Sequence, residues 1–282
     1  DRIIAVSPTY AEEIMTAEFG YGLEGLLRHR RQVLLGILNG VDYRFWDPRH
    51  DPLIGQHYWV HSLADKQINK RQLQRELGLV ENEHAVLLAH ISRLTWQKGI
   101  DLILAGIQEL LRNSAVQMVV LGSGEAPYEK GLQAAAQSFP GRLAVKLIYD
   151  EALAHRIQSG ADILLMPSRY EPCGLTQMYS LRYGTIPVVR RTGGLADTIT
   201  DSTPANLQAQ TATGFCFTQA ASAEFLQASR AAIASYQSGS HWRQIMQTAM
   251  LRDFTWQASA EKYVRVYLEL LQKHTQPAQQ LR

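Results

Sequence analysis

From Glu83 onward the chain alternates short runs that are apolar at nearly every position with longer stretches in which apolar residues return every three or four positions. A run with no polar alternate is buried on both faces. Interleaved with amphipathic stretches, such runs predict repeated βα units, and hence an α/β fold with a Rossmann-like parallel sheet covered by helices on both faces. The candidate strands are 85–90, 118–121, 144–148, 163–166 and 186–189. Between them Ile100, Leu102, Ile103, Ile107, Leu110 and Leu111 mark one helix, and Leu132, Ala135 and Ala136 mark a weaker one that stops at Phe139, Pro140 and Gly141.

The first 38 residues have a different pattern. A β-rich start at Ile3 to Val6, a helix start at Ser7, Pro8 and Thr9, and the run 34–38 read as one last βα-and-strand piece of another domain. Asn39, Gly40, Val41 and Asp42, then Trp46, Asp47 and Pro48, predict a turn-rich linker with a hinge. The expected boundaries are a remnant domain at 1–38, a linker at 39–50, a Rossmann-like domain at 51–253 and a terminal helix at 254–282. In that helix Trp256, Tyr263, Val264, Tyr267, Leu268 and Leu270 share a face, and the chain after 214–217 is expected to be helical to its end. With no initiator Met and no signal pattern, the chain is expected to begin mid-protein.

Composition narrows the function classes. Twenty-eight basic against 26 acidic residues leave a formal charge of +2, too little to argue for nucleic acid or an anionic membrane, so any anion site must be local. Cys173 and Cys216 lack the paired spacing of a zinc site or disulfide framework, which points to a reducing cytoplasm. No apolar run approaches the ~20 residues that span a bilayer.

In open parallel sheets, loops leaving the carboxyl ends of the strands form the ligand crevice. The first such loop, 91–99, carries Arg93 and Lys98, which could clamp a diphosphate, the Arg through paired planar donors and the Lys as a mobile charge; two solvated loop cations are the plainer alternative. The second, 167–176, places Gly174 and the free N–H groups of Leu175 and Thr176 at a helix start, an anion site, with Glu171 beside it. A carboxylate there is unfavourable unless it holds the hydroxyls of a neutral group such as a sugar, the other reading being a helix cap. The third, 190–195, carries Thr192, Gly193 and Gly194, whose paired glycines free the backbone; Gly122, Ser123 and Gly124 form a fourth glycine-bearing loop. Tyr149 closes its strand, either to stack on a base or to pack in the core.

The wording of these loops, S-R-L-T-W-Q-K-G at 92–99, P-S-R-Y-E-P-C-G-L-T-Q at 167–177 and R-R-T-G-G-L-A-D-T at 190–198, resembles the bacterial glycogen synthase family, as do N-G-V-D at 39–42 and D-F-T-W at 253–256. The resemblance covers essentially the whole chain. It implies a GT-B glycosyltransferase of which this is the C-terminal portion, transferring glucose from ADP-glucose to the non-reducing end of an α-1,4-glucan with retention, in the cytoplasm, with no cofactor and no metal in the site. Carried over, Arg93 and Lys98 bind the donor diphosphate and act in catalysis with Glu171, which holds the transferred glucose. Gly174, Leu175 and Thr176 present backbone donors, Tyr149 lies against adenine, Asn39 faces the cleft, Cys173 packs near the site, and Thr192, Gly193 and Gly194 are counted with the substrate-binding set. The position where related retaining transferases place a second Glu on the ribose is Tyr179 here. In the family an amino-terminal domain supplies a K-x-G-G-L loop, a catalytic-site His and most of the glucan cleft; no K-x-G-G-L occurs in this sequence, so that domain is the expected partner. The alternatives are a nucleotide-sugar-binding module without turnover, or another GT-B transferase.

Overall fold

The computed structural model describes residues 1–275, with side chains through Gln272; the expectation of helix to the chain end therefore reaches outside the described residues at 276–282. A small two-stranded parallel sheet opens the chain: β1 (Ile3–Ala5), α1 (Pro8–Glu13), α2 (Glu24–His29) and β2 (Leu34–Gly36), packed around Ala5, Ala11 and Leu34. Ser7 caps α1 by accepting the Tyr10 N–H at 3.1 Å, and Pro8 occupies the first helical position, where its missing donor is not needed.

The main body follows with α3 (Lys66–Leu77), β3 (Val86–Ile91), α4 (Ile100–Leu110), β4 (Val116–Leu121), α5 (Ala126–Ser138), β5 (Leu143–Lys146), α6 (Glu151–Gly160), β6 (Ile163–Met166), α7 (Thr176–Arg182), β7 (Ile186–Arg190), α8 (Gly193–Thr198), α9 (Pro204–Gln208), β8 (Phe215–Phe217), α10 (Ser222–Ser238) and α11 (Trp242–Met250); α12 (Trp256–Thr275) closes the described chain. The six strands β3–β8 form one parallel sheet in the order β5-β4-β3-β6-β7-β8. β4 and β6 are buried at every residue and β3 at all but the last, whereas the edge strand β8 alternates, which is why the central strands read as unbroken apolar runs.

Periodicity marked neither β8 nor α3. β8 is a three-residue edge strand, too short to show a pattern. In α3 the buried stripe is itself polar: Lys66, Asn69, Lys70 and Gln74 are buried with Leu73. Lys66 donates to the carbonyls of Gln158 and Ser159 at the end of α6, and Lys70 pairs with Asp162 at 2.7 Å. The strand expected at 144–148 stops at Lys146, its last pair being Leu121 with Lys146. The third loop is shorter than 190–195, since α8 already begins at Gly193.

The stretch 39–50 is turn-rich, with Asx turns at Asp42 and Asp47, but it is not a loose tether. The Val41 N–H donates to Phe254 O at 2.7 Å, Trp46 is half-buried against the core, and Asp47 is fully buried between Arg49 and Arg182. On α12, Trp256, Val264, Tyr267 and Leu268 are more than half exposed. Among the described residues no helix is long and apolar enough to cross a membrane.

Candidate functional site

The strand order reverses between β3 and β6, so the loops that leave these two neighbours diverge and leave a crevice at the carboxyl edge of the sheet. A cavity of about 380 Å³ lies there, lined from the first loop by Arg93 and Lys98, from the second by Ser168, Glu171, Cys173, Gly174, Leu175 and Thr176, and by Asn39. Gly99 makes the approach possible. It has φ +70°, and a Cβ on it would lie 2.1 Å from Pro167 O, so only glycine lets the loops close enough for their side chains to meet.

They meet as an ion pair. Lys98 Nζ donates to Glu171 Oε2 at 2.5 Å, and Ser168 Oγ donates to the same oxygen at 3.1 Å. Glu171 is nearly buried, so the cation from the neighbouring loop offsets the desolvation of its carboxylate. Both bonds fall on Oε2, which leaves Oε1 as the oxygen with capacity for a further donor. The first amides of α7 have no intrahelical acceptor by construction, and Leu175 and Thr176 bring them to the same cavity. Burial pushes the Cys173 thiol up in pKa, with the Asn39 backbone amide opposing, which fits packing rather than nucleophilic use.

A second cavity of about 340 Å³ adjoins the first, sharing Ile91, Ser92, Arg93 and Thr176, and runs toward β4 and β5. Its lining includes Leu121, Ile148, Tyr149, Trp46 and Tyr179. Tyr149 is 88% exposed, which removes the core alternative. Trp46 stacks on Tyr179 at 3.9 Å with 2° between the planes and on His155 at 3.6 Å; Asp51 holds His155 Nδ1 at 2.8 Å and takes the Tyr183 hydroxyl at 2.6 Å.

The third loop does not reach either cavity. Thr192, Gly193 and Gly194 are buried, and their donors are spent inside the protein: Thr192 Oγ1 and Gly193 N–H on Glu13 Oε1 at 2.8 and 2.9 Å, Gly194 N–H on Glu171 O at 3.0 Å. The paired glycines are needed because a Cβ would lie 2.1 Å from Glu171 O at Gly193 and 1.9 Å from Cys173 O at Gly194. These three, expected in the substrate-binding set, line neither cavity; they brace the Glu171 loop from behind, and β7 lies one strand beyond the switch point.

Three residues were missed. Trp46 sat in what read as a linker, and Tyr179 in a slot defined only by what it lacks. His90 read as the last residue of a strand. It is buried beneath the cavity, and burial pushes its pKa down to about 4. Its Nδ1 lies 2.8 Å from Leu165 O and must donate there, so neutral Nε2 accepts from the Ser92 hydroxyl at 2.7 Å. The first loop is thus tied to the strand beneath it.

Residues 70–247 match the family described as Glycosyl transferases group 1, and residues 1–29 match the Starch synthase catalytic domain. The chain is 50% identical to Glycogen synthase 2 of Nitrosococcus oceani over 271 residues, covering 96% of this chain and 55% of that protein. To the Glycogen synthase of Thioalkalivibrio sulfidiphilus it is 47% identical, covering 96% and 56%. Among solved structures it is similar to the catalytic domain of Starch Synthase IV from Arabidopsis thaliana bound to ADP and acarbose, with TM-score 0.89 and 37% identity over 95% of this chain and 55% of that one. A likeness to sucrose-phosphate synthase from Thermosynechococcus elongatus, TM-score 0.63 at 18% identity over 97% and 59%, reflects the shared fold alone. The chain spans about half the length of the curated relatives it matches.

Proposed function

The chain belongs to the group 1 glycosyl transferases, and from that premise we propose that it is the nucleotide-sugar-binding half of a retaining glucosyltransferase that moves glucose from ADP-glucose to the non-reducing end of an α-1,4-glucan. The observation that carries the reading is the meeting of Lys98 and Glu171 at the switch-point crevice, with Arg93 bordering both that cavity and the aromatic one. The Arabidopsis relative bound to ADP and acarbose supports the same donor base and an α-glucan acceptor.

In this reading adenine lies in the aromatic cavity against Tyr149, the diphosphate spans to Arg93, Lys98 and the first amides of α7, and glucose reaches Glu171. Lys98 then has two anions to serve. The bond between glucose C1 and the phosphate oxygen breaks toward an oxocarbenium-like species, with the electron pair leaving on ADP. The acceptor 4-hydroxyl attacks from the face the ADP leaves, and its proton passes to the departing phosphate oxygen. No enzyme nucleophile takes part. Lys98 and Arg93 stabilise charge that grows on that oxygen as the bond breaks, the kind of contribution that lowers a barrier rather than merely tightening binding.

The test is calorimetric titration of the 282-residue chain with ADP, ADP-glucose and UDP, wild type against Lys98→Ala, followed by glucosyl transfer to an α-glucan. Adenine-selective binding is expected, weakened roughly tenfold by the substitution through loss of a charge-assisted contact. Removing one such donor typically lowers turnover about a hundred- to a thousand-fold. A folded chain that binds no nucleotide, or a Lys98→Ala protein with turnover within about twofold of wild type, overturns the assignment; nucleotide binding with no transfer leaves the chain as the donor-binding module alone.

A further inference from the structure

The main chain around Glu171 is held on three consecutive carbonyls by three different elements. Glu171 O accepts from Gly194 N–H at 3.0 Å, Pro172 O from the Ser7 hydroxyl at 2.6 Å, and Cys173 O from Gln177 Nε2 at 3.0 Å. Ser7 precedes α1, in the small sheet unit 165 residues away in sequence from the carbonyl it holds. It is fully buried, commits its single proton to Pro172 and caps the Tyr10 amide with one lone pair, so its donor is wholly spent on this contact.

The same helix also holds the brace behind the loop. Glu13 Oε1 takes both the Thr192 hydroxyl and the Gly193 amide, and Asp197 takes the Thr9 hydroxyl and amide at 2.6 and 2.9 Å. Glu13 Oε2 is buried and has no hydrogen-bond partner among the described residues, an arrangement that costs stability and that packing alone would not favour. Because the glycines of 193–194 stand within van der Waals distance of the Glu171 and Cys173 carbonyls, any shift in the brace is transmitted to the loop without slack.

We propose that Glu13 and Ser7 are positioning residues for the sugar subsite: through Gly194 and Pro172 they set the main chain from which Glu171 reaches, and thereby the fit of the transferred sugar, while leaving the nucleotide subsite untouched. The inference rests on the assignment of Glu171 to the sugar. Neither residue lines the crevice, and both act through backbone atoms of the second and third loops.

The experiment titrates the 282-residue chain with ADP and with ADP-glucose and compares the ratio of the two affinities among variants, with thermal melting of each to confirm folding. In Glu13→Ala and Ser7→Ala the ratio is expected to shift roughly tenfold against ADP-glucose, the scale of one displaced hydrogen bond to a charged group, with ADP binding within about twofold of wild type. Glu13→Gln keeps an acceptor oxygen for Thr192 and Gly193 and should restore most of the ratio. Thr192→Val should reproduce part of the loss, and Thr192→Ser should not. A merely structural helix would weaken both ligands together or neither, and either result overturns the proposal. Glu171→Ala separates the two levels. If it leaves the ratio unchanged, the sugar assignment has failed; if it shifts the ratio and Glu13→Ala does not, the positioning role has failed.

Discussion

Replacing Tyr149 by Ala should weaken ADP binding without touching the fold. The ring is 88% exposed, so folding gains almost nothing from it and its removal should change stability by less than about 0.5 kcal/mol. It borders the aromatic cavity together with Trp46, which lies nearly parallel on Tyr179, so a base entering there meets one exposed ring and a pair fixed by stacking. Stacking of a base on an aromatic side chain is worth about 1–3 kcal/mol by alanine substitution, which is roughly a 5- to 150-fold rise in Kd. The exposed position and the cost of ordering the ring place the expected loss in the lower half of that range. The assay is calorimetric titration with ADP beside a thermal melt, with Tyr149→Phe as control, since a stacking ring needs no hydroxyl. An ADP affinity within about twofold of wild type for Tyr149→Ala would refute the stacking role. Equal losses for Tyr149→Phe and Tyr149→Ala would shift the contribution to the hydroxyl.

Two predictions concern stability. His90 stays neutral in the fold down to about pH 4, whereas an unfolded His takes a proton near pH 6.5, so acidification between these values loads protons on the unfolded chain only. Its contribution to stability should be fully present above about pH 6.5 and fall by about 3 kcal/mol as the pH drops to about 4; urea denaturation at several pH values, wild type against His90→Asn, should show a shallower slope for the variant, and identical slopes would refute the assignment. Burial opposes ionisation of Asp47, but its bonds from Arg49 and Arg182 outweigh that and hold its pKa down. Asp47→Asn should cost about 3–5 kcal/mol by leaving Arg182 buried without a counter-charge, and a loss under about 1 kcal/mol by urea denaturation would show that stacking of Arg182 on Tyr43 and Trp59 suffices.

Much of this protein is local and therefore legible in its sequence. Central strands of a parallel sheet are buried on both faces, and β3, β4, β6 and β7 accordingly appear as apolar runs. Arg93, Lys98 and Glu171 stand on loops that leave such strands, which is where a ligand crevice must open, so their candidacy followed from position alone. The order of the strands was not legible, because apolar runs state that a strand is buried and not which neighbour it pairs with. That order decides which loops face each other: β3 and β6 flank the crevice, while β7 stands one place further, so Gly193 and Gly194 line neither cavity and support the Glu171 backbone. Trp46 joined the aromatic cavity through tertiary packing, carried there by a segment whose turn-forming residues gave no sign that Asp47 and Val41 would be buried. The residues of each loop and their chemistry are written in sequence order; which loops share a site is decided by strand pairing, an interaction between residues far apart in the chain that only the folded structure selects.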